Sequence, residues 1–314
     1  MWNATLTGFF NKEEVYMALN NKHKKVLGLV VGVCLCLISS SQHHKSTAIN
    51  SANSVLWEVR GKELQRPVYL YGTFHLMCAG ELPFEDTLSD LLKTSDALIL
   101  EMDMDDPATA LGGMMGMQMK DGKSLRDFYS PSEYQRIQQY FQDSLRMNLK
   151  FWERMMPVLL EPMLMMRWMQ CAKVISPETT LMDWIKKDGK PVLGLETIMD
   201  QKAVLEKIPL EDQARSLLAT IDSMEKQKVE FQRMKSAYLS QQLDVLEGLS
   251  DDFSASEIKI AMLDDRNQRW LDRLPSLWNR GGVFVAVGAG HLPGNKGLIQ
   301  GLRKMGYQVK PILK

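Results

Sequence analysis

Two histidines and two glutamates stand out because each closes a short apolar run. His75 ends Gly72-Thr73-Phe74-His75 after the run 68–71, and Glu101 follows the run 97–100. Glu196 follows 192–195, and His291 ends Gly288-Ala289-Gly290-His291 after 283–287. Imidazoles and carboxylates together can hold a divalent ion with an open coordination position. Either group type can also serve as a general base. Gly72 and Gly288, each three residues before a histidine, let a strand turn sharply without side-chain obstruction. Taken singly, each residue has an ordinary reading: a histidine in a polar loop, Glu101 in an acidic stretch with Asp103, Asp105 and Asp106, Glu196 in the first turn of a helix.

What joins the four is the set of elements that must position them. The runs 97–100, 192–195 and 283–287 are continuously apolar, as strands covered on both faces are. Shorter β-like runs at 54–59 and 68–71 flank Arg60-Gly61-Lys62 and predict a hairpin. Helices are expected over 84–93, over 180–187 with Gly189 as stop, and from Pro293-Gly294 to about Met305, with a last strand at 307–312. Strands alternating with helices predict an α/β fold, a mostly parallel sheet with flanking helices. Two blocks, near 107–187 and 198–275, are too long for simple crossovers and read as helical insertions or a cap, with Pro157 and Pro162 as breaks in the first. In a parallel sheet the C-terminal strand ends share one edge, where open α/β folds bind ligands. Four residues far apart in sequence are thereby predicted to meet.

The chain has 314 residues and a formal net charge of zero, with no basic stripe, which excludes an electrostatic nucleic-acid binder. Lys22, His23, Lys24 and Lys25, an uncharged apolar stretch at 26–38 and Ser39-Ser40-Ser41 have the anatomy of a secretory signal. A start at Met17 gives it an ordinary length; a start at Met1 gives a long basic region. Residues 1–41 are therefore assigned to the signal, 42–53 to a polar linker and 54–314 to the folded domain. The expected location is periplasmic or secreted, with membrane attachment only through the signal or an uncleaved anchor. Beyond residue 41 only Cys78 and Cys171 remain, enough for one disulfide in an oxidising compartment. Methionines cluster at 102–119 and 155–169; thioethers at helical spacing read as core filler, with an adaptable groove as the competing reading. Gly112-Gly113-Met114-Met115-Gly116 reads as a flexible lid.

At these same residues the sequence resembles the TraB/GumN family, which includes the Tiki proteases and is related in fold to erythromycin-esterase-like and ChaN-like proteins. The likeness is carried in order by residues 68–75, by Leu82-Pro83, by Ala97-Leu98-Ile99-Leu100-Glu101-Met102-Asp103, by Gly194-Leu195-Glu196-Thr197 with Gln201, by Arg266-Asn267 with Trp270, and by residues 284–294 with Gly297-Leu298. One departure is plain: where the family carries Gly-x-Asp, this chain has Ile175-Ser176-Pro177-Glu178-Thr179-Thr180, with Asp183 the nearest substitute. The resemblance implies an active edge built from His75, Glu101 and His291, with Arg266 reaching in from a helix. It also implies a divalent metal, manganese or cobalt, as in Tiki members.

The resulting expectation is an exported metal-dependent hydrolase acting on a peptide or a small amide or ester. His75, Glu101 and His291 would be the metal ligands. Glu196 would be either the base or an orienting residue, and Arg266 would steady the oxyanion or pair with a substrate carboxylate. Two alternatives remain open: a non-catalytic peptide- or haem-binding protein, and a metal-free esterase-like hydrolase with His75 as general base.

Overall fold

The structure is a computed structural model that describes residues 53–61, 64–104, 116–253, 260–278 and 281–314. Residues 1–41, read from sequence as an export signal, nearly all of the 42–53 stretch read as a linker and most of the 112–116 segment lie outside the described residues. In chain order the strands are β1 (Leu56–Arg60), β2 (Val68–Thr73), β3 (Met77–Cys78), β4 (Leu98–Met102), β5 (Val174–Ile175), β6 (Val192–Glu196), β7 (Phe284–Gly288) and β8 (Gln308–Pro311). Six of them form one sheet in the order β6-β4-β7-β2-β1-β8. The contacts β6–β4, β4–β7 and β7–β2 are parallel. β1 runs against both of its neighbours, so the predicted hairpin is present inside an otherwise parallel sheet. Every residue of β7, at the centre, is buried, which is why its sequence has no polar alternation.

The four strands expected to carry chemistry are thus contiguous and point the same way. α1 (Glu85–Thr94) links β2 to β4, and α10 (Leu298–Lys304) leads into β8. Between β4 and β6 lie α2 (Pro131–Asp143), α3 (Glu161–Met166) and α4 (Pro177–Lys187). This stretch is less helical than the sequence suggests. Pro157 and Pro162 cannot continue a helix from the preceding turn, and short 3-10 turns and the two-stranded β3–β5 ribbon take up the rest. Ser176 caps α4 by accepting the Thr179 N–H, Pro177 opens it, and Gly189, at φ 68°, follows its end. Between β6 and β7 lie α5 (Ile198–Leu205), α6 (Leu210–Asp222), α7 (Met224–Leu239), α8 (Leu243–Phe253) and α9 (Asp265–Trp278). Among the described residues no helix is long and apolar enough to cross a membrane.

Two apolar clusters hold these layers. One encloses the sheet, with Trp57, Tyr71, Trp270 and Phe284 almost wholly buried. The other fills the helical part and takes in Met102, Met117, Met119, Met155, Met156, Met163, Met165 and Met169 as packing, not as an exposed stripe. Cys78 and Cys171 form a disulfide with Cα atoms 5.8 Å apart, tying the segment after His75 to the helical insertion.

Within the second cluster Glu161 is buried, and one of its carboxylate oxygens has no hydrogen-bond partner. Burial pushes its carboxyl up to about 8, against the pull of the Ser216 hydroxyl. The protonated form is therefore the one that fits, and the folded chain binds more protons than the unfolded chain between the ordinary carboxyl value and about pH 8. Stability from this group is complete at low pH and is lost as pH rises through that window. Thermal unfolding should show the wild type less stable at pH 9 than at pH 6, and Glu161→Gln should flatten that slope. A slope of equal size in the variant would assign the loss to other groups.

Candidate active site

The site begins with a packing problem: Glu101 and Glu196 enter the protein interior from neighbouring strands, where two carboxylates cannot remain charged without compensation. Arg266, near the start of α9, supplies it. Its Nη2 donates to Glu101 Oε2 at 2.5 Å and to Glu196 Oε1 at 2.6 Å, and its Nε donates to Glu196 at 3.1 and 3.2 Å. Its Nη1 donates to the Met262 carbonyl and to His291 Nε2, each at 3.2 Å. A guanidinium has five N–H groups, and all five have acceptors here. The residues before α9, Ile260–Asp264, form a π-helical turn, and its Met262 carbonyl is one of those acceptors. One turn after Arg266, Trp270 stacks on the guanidinium at 4.6 Å and donates Nε1–H to Glu196 Oε2 at 3.3 Å.

The electrostatics follow. Burial works against the Glu101 charge. Arg266, the two imidazoles and the Gly288 N–H at 2.8 Å nevertheless hold its carboxyl at about 2. At Glu196 burial wins over Arg266, and its carboxyl is raised. Burial and the adjacent guanidinium push His291 down to about 3, so it is neutral. Its tautomer can be read from its neighbours. Asn267 Nδ2 donates to the carbonyls of Lys296 at 3.0 Å and His291 at 3.4 Å, which turns Oδ1 toward His291 Nδ1 at 2.7 Å. Nδ1 therefore carries the proton, and the Nε2 lone pair faces Arg266.

His75 is fixed in a parallel way. Its Nδ1 lies 2.6 Å from Glu178 Oε1, which also accepts from Thr73 Oγ1 at 2.5 Å, while Ser176 Oγ donates to Oε2 at 2.8 Å. Glu178 sits in the first turn of α4, where the helix dipole favours its charge. Burial alone would pull the His75 imidazole down, but the Glu178 carboxylate raises it above its ordinary value. Its Nε2 lies beside Gly288. A methyl group there would lie 3.2 Å from His75 Nε2 and 3.3 Å from Glu101 Oε1, so glycine leaves open the space those two atoms share. His291 Nε2 lies 3.8 Å from Glu101 Oε1.

The strand ends thus bring together all of His75, Glu101, Glu196, Arg266 and His291. Two expectations are corrected. Arg266, expected to steady an oxyanion or pair with a substrate carboxylate, does not present its guanidinium outward: it is 3% exposed and its donors are committed to the protein. Asp183 is exposed on α4, and Glu178 takes the position beside His75 instead. Sequence reasoning gave no role to Glu178 or Thr73, although Ser176-Pro177-Glu178 has the pattern of a helix N-terminus aimed at Gly72-Thr73-Phe74-His75. Among the described residues no three His, Cys, Asp or Glu side chains stand ready-made as a metal cluster. The Nε2 face of His291 is taken by Arg266.

Fold and site together define an α/β domain with a histidine–carboxylate centre at the C-terminal ends of parallel strands. The chain belongs to the TraB/PrgY/gumN family, which it matches over residues 55–311. It is 21% identical to the metalloprotease TIKI2 of Danio rerio, over 87% of this chain and 63% of that protein, so it spans under two thirds of that relative's length. It is 29% identical to the uncharacterized protein YbaP of Escherichia coli (strain K12), over 76% of this chain and 88% of that one. No solved structure gives a significant match.

Removing Arg266 tests the charge balance. Arg266→Ala strands two buried carboxylates and should cost about 3–5 kcal/mol in denaturant unfolding. Arg266→Lys restores the charge without the fork and should recover only part of that. A loss under about 1 kcal/mol for Arg266→Ala would mean that water or another cation already balances the pair.

Proposed function

We propose that the chain is a hydrolase of amide bonds, acting on a peptide or a similar small substrate and dependent on a divalent metal held by His75, Glu101 and His291. The observation that carries this reading is the pairing of each imidazole Nδ1 with a fixed partner, Glu178 for His75 and Asn267 for His291. That pairing turns both Nε2 atoms toward Glu101, the His75 one beside the open space at Gly288 and the His291 one onto Arg266 Nη1, an orientation from behind like that of histidines in metal sites. Two imidazole nitrogens and a carboxylate oxygen suit a divalent transition ion, so manganese and cobalt are the first ions to try. His75 Nε2 and Glu101 Oε1 adjoin the open space at Gly288. His291 Nε2 would join them only if Arg266 Nη1, its present hydrogen-bond donor, were displaced. Such an ion supplies Lewis acidity to the scissile carbonyl and to water.

The protein's own groups divide the remaining work. Glu178 holds His75 in one tautomer and one orientation, and Asn267 does the same for His291. Glu196 bonds Arg266 and Trp270 through both oxygens, which suits a positioning residue better than a base. Arg266 keeps Glu101 ionised. The signal anatomy of residues 1–41 and the disulfide support a periplasmic or secreted setting. The likeness to a metalloprotease supports peptide chemistry.

A second reading, with His75 as a metal-free general base, draws on the Glu178–His75 pair itself, in which a carboxylate orients a basic imidazole. Metal analysis and a peptide-library digest separate the two. The metal reading expects near-stoichiometric manganese or cobalt and turnover abolished by chelation. His75→Ala should lose both metal and turnover, and Glu178→Gln should weaken metal affinity about 10–100-fold. Turnover that survives chelation would favour the second reading. No turnover with or without metal would sink both and turn attention to peptide or haem binding, the latter visible as a Soret band.

A further inference from the structure

The two halves of the His75–Glu178 pair hang from opposite strands of one very short ribbon. His75 stands two residues before β3, and Glu178 three residues after β5. The ribbon has two residue pairs, Met77↔Ile175 and Cys78↔Val174, extended by the Ala79 N–H to the Lys173 carbonyl at 3.0 Å. A ribbon this short has little stability of its own, and the Cys78–Cys171 disulfide closes it covalently. The disulfide is asymmetric. Cys171 is partly exposed, while Cys78 is 6% exposed and receives the Lys235 ammonium at 3.6 Å. Lys235 is itself buried, in an ion pair with Glu81 at 2.7 Å, and Glu81 also accepts the Cys78 N–H. A buried ammonium beside one sulfur favours that sulfur as a departing thiolate.

We propose that the Cys78–Cys171 disulfide is a thiol-reactive control site whose reduction releases Glu178 from His75 and so disassembles one side of the active site. The reductant is a thiol of the glutathione class. Its thiolate attacks Cys171 Sγ, the S–S bond breaks, and Cys78 leaves as a thiolate beside Lys235. A second thiolate attacks the mixed disulfide, freeing Cys171 as a thiolate and forming the reductant's own disulfide. The two Cys thiolates then take up protons, so two thiols are oxidised and one protein disulfide is reduced. The consequence for activity rests on the hydrolase reading, but the structural effect on His75 does not.

The test uses the oxidised exported chain labelled with 15N-histidine, titrated with glutathione while thiols are counted by alkylation. The chain has only five histidines, so imidazole signals are few. In the oxidised protein the Nδ1–H protons of His75 and His291 should both appear far downfield, the first absent in His75→Gln. Reduction should remove the His75 signal, keep that of His291 and leave a cooperative melting transition. Cys78→Ser with Cys171→Ser should reproduce the reduced spectrum. Lys235→Gln should slow the first exchange step roughly threefold or more, and Lys235→Arg should not. Persistence of the His75 signal after full reduction would overturn the proposal. So would loss of both signals together with the melting transition, which would make the disulfide a general staple. Equal rates for Lys235→Gln and wild type would overturn the assigned direction of attack. Since none of these readouts is turnover, a failed hydrolase reading would leave this result standing.

Discussion

The centre of this protein depends on one guanidinium. Without Arg266, Glu101 on β4 and Glu196 on β6 would be adjacent buried carboxylates, each unfavourable to ionise and repelling the other. With it, five N–H groups meet two carboxylates, a backbone carbonyl and an imidazole, and four parts of the fold acquire fixed relative positions: two strands, the π-helical turn before α9, and the turn after β7. Trp270 adds a ring face behind the cation and closes that side to water. The two glutamates then differ: Arg266, the imidazoles and the Gly288 N–H hold Glu101 at about 2, whereas at Glu196 burial outweighs Arg266 and the neighbouring Glu101 charge adds to the rise. Identical side chains on neighbouring strands thus take different parts, one facing the space at Gly288 and the other anchoring the arginine.

The histidines flank this centre, and each depends on a partner outside the sheet. Asn267, next to Arg266 on α9, fixes His291. Glu178, at the start of α4, fixes His75. One helix therefore sets both the charge balance and one imidazole, while a separate helix, reached through the β3–β5 ribbon and its disulfide, sets the other. This division lets one imidazole be released while the arginine centre stays intact.

Much of this was legible in the sequence, for identifiable reasons. Continuously apolar runs at β4, β6 and β7 suit strands of a parallel sheet, and polar residues placed just after such strands collect at one edge of it. Hence His75, Glu101, Glu196 and His291 could be named from pattern alone. The role of Glu178 could not be read, because its partners Thr73 and His75 lie about a hundred residues away and no local signal marks a contact of that range. Arg266 was expected to serve substrate because the family resemblance put it at the active edge and its fork suits an oxyanion or a carboxylate. Only the packing of Trp270 and the count of its five bonds reveal that it faces inward. The helical content between β4 and β6 was overread because apolar, Met-rich sequence resembles helix, whereas Pro157 and Pro162 divide it into short turns.

The claim that the oriented imidazoles and Glu101 form a metal centre is tested most directly by electron spin-echo spectroscopy of the protein loaded with one equivalent of manganese(II). The account predicts echo modulation from directly bound imidazole nitrogen, lost or reduced in His75→Ala while the variant keeps its cooperative unfolding. Manganese that binds with no nitrogen modulation, or with modulation unchanged in His75→Ala, would contradict it.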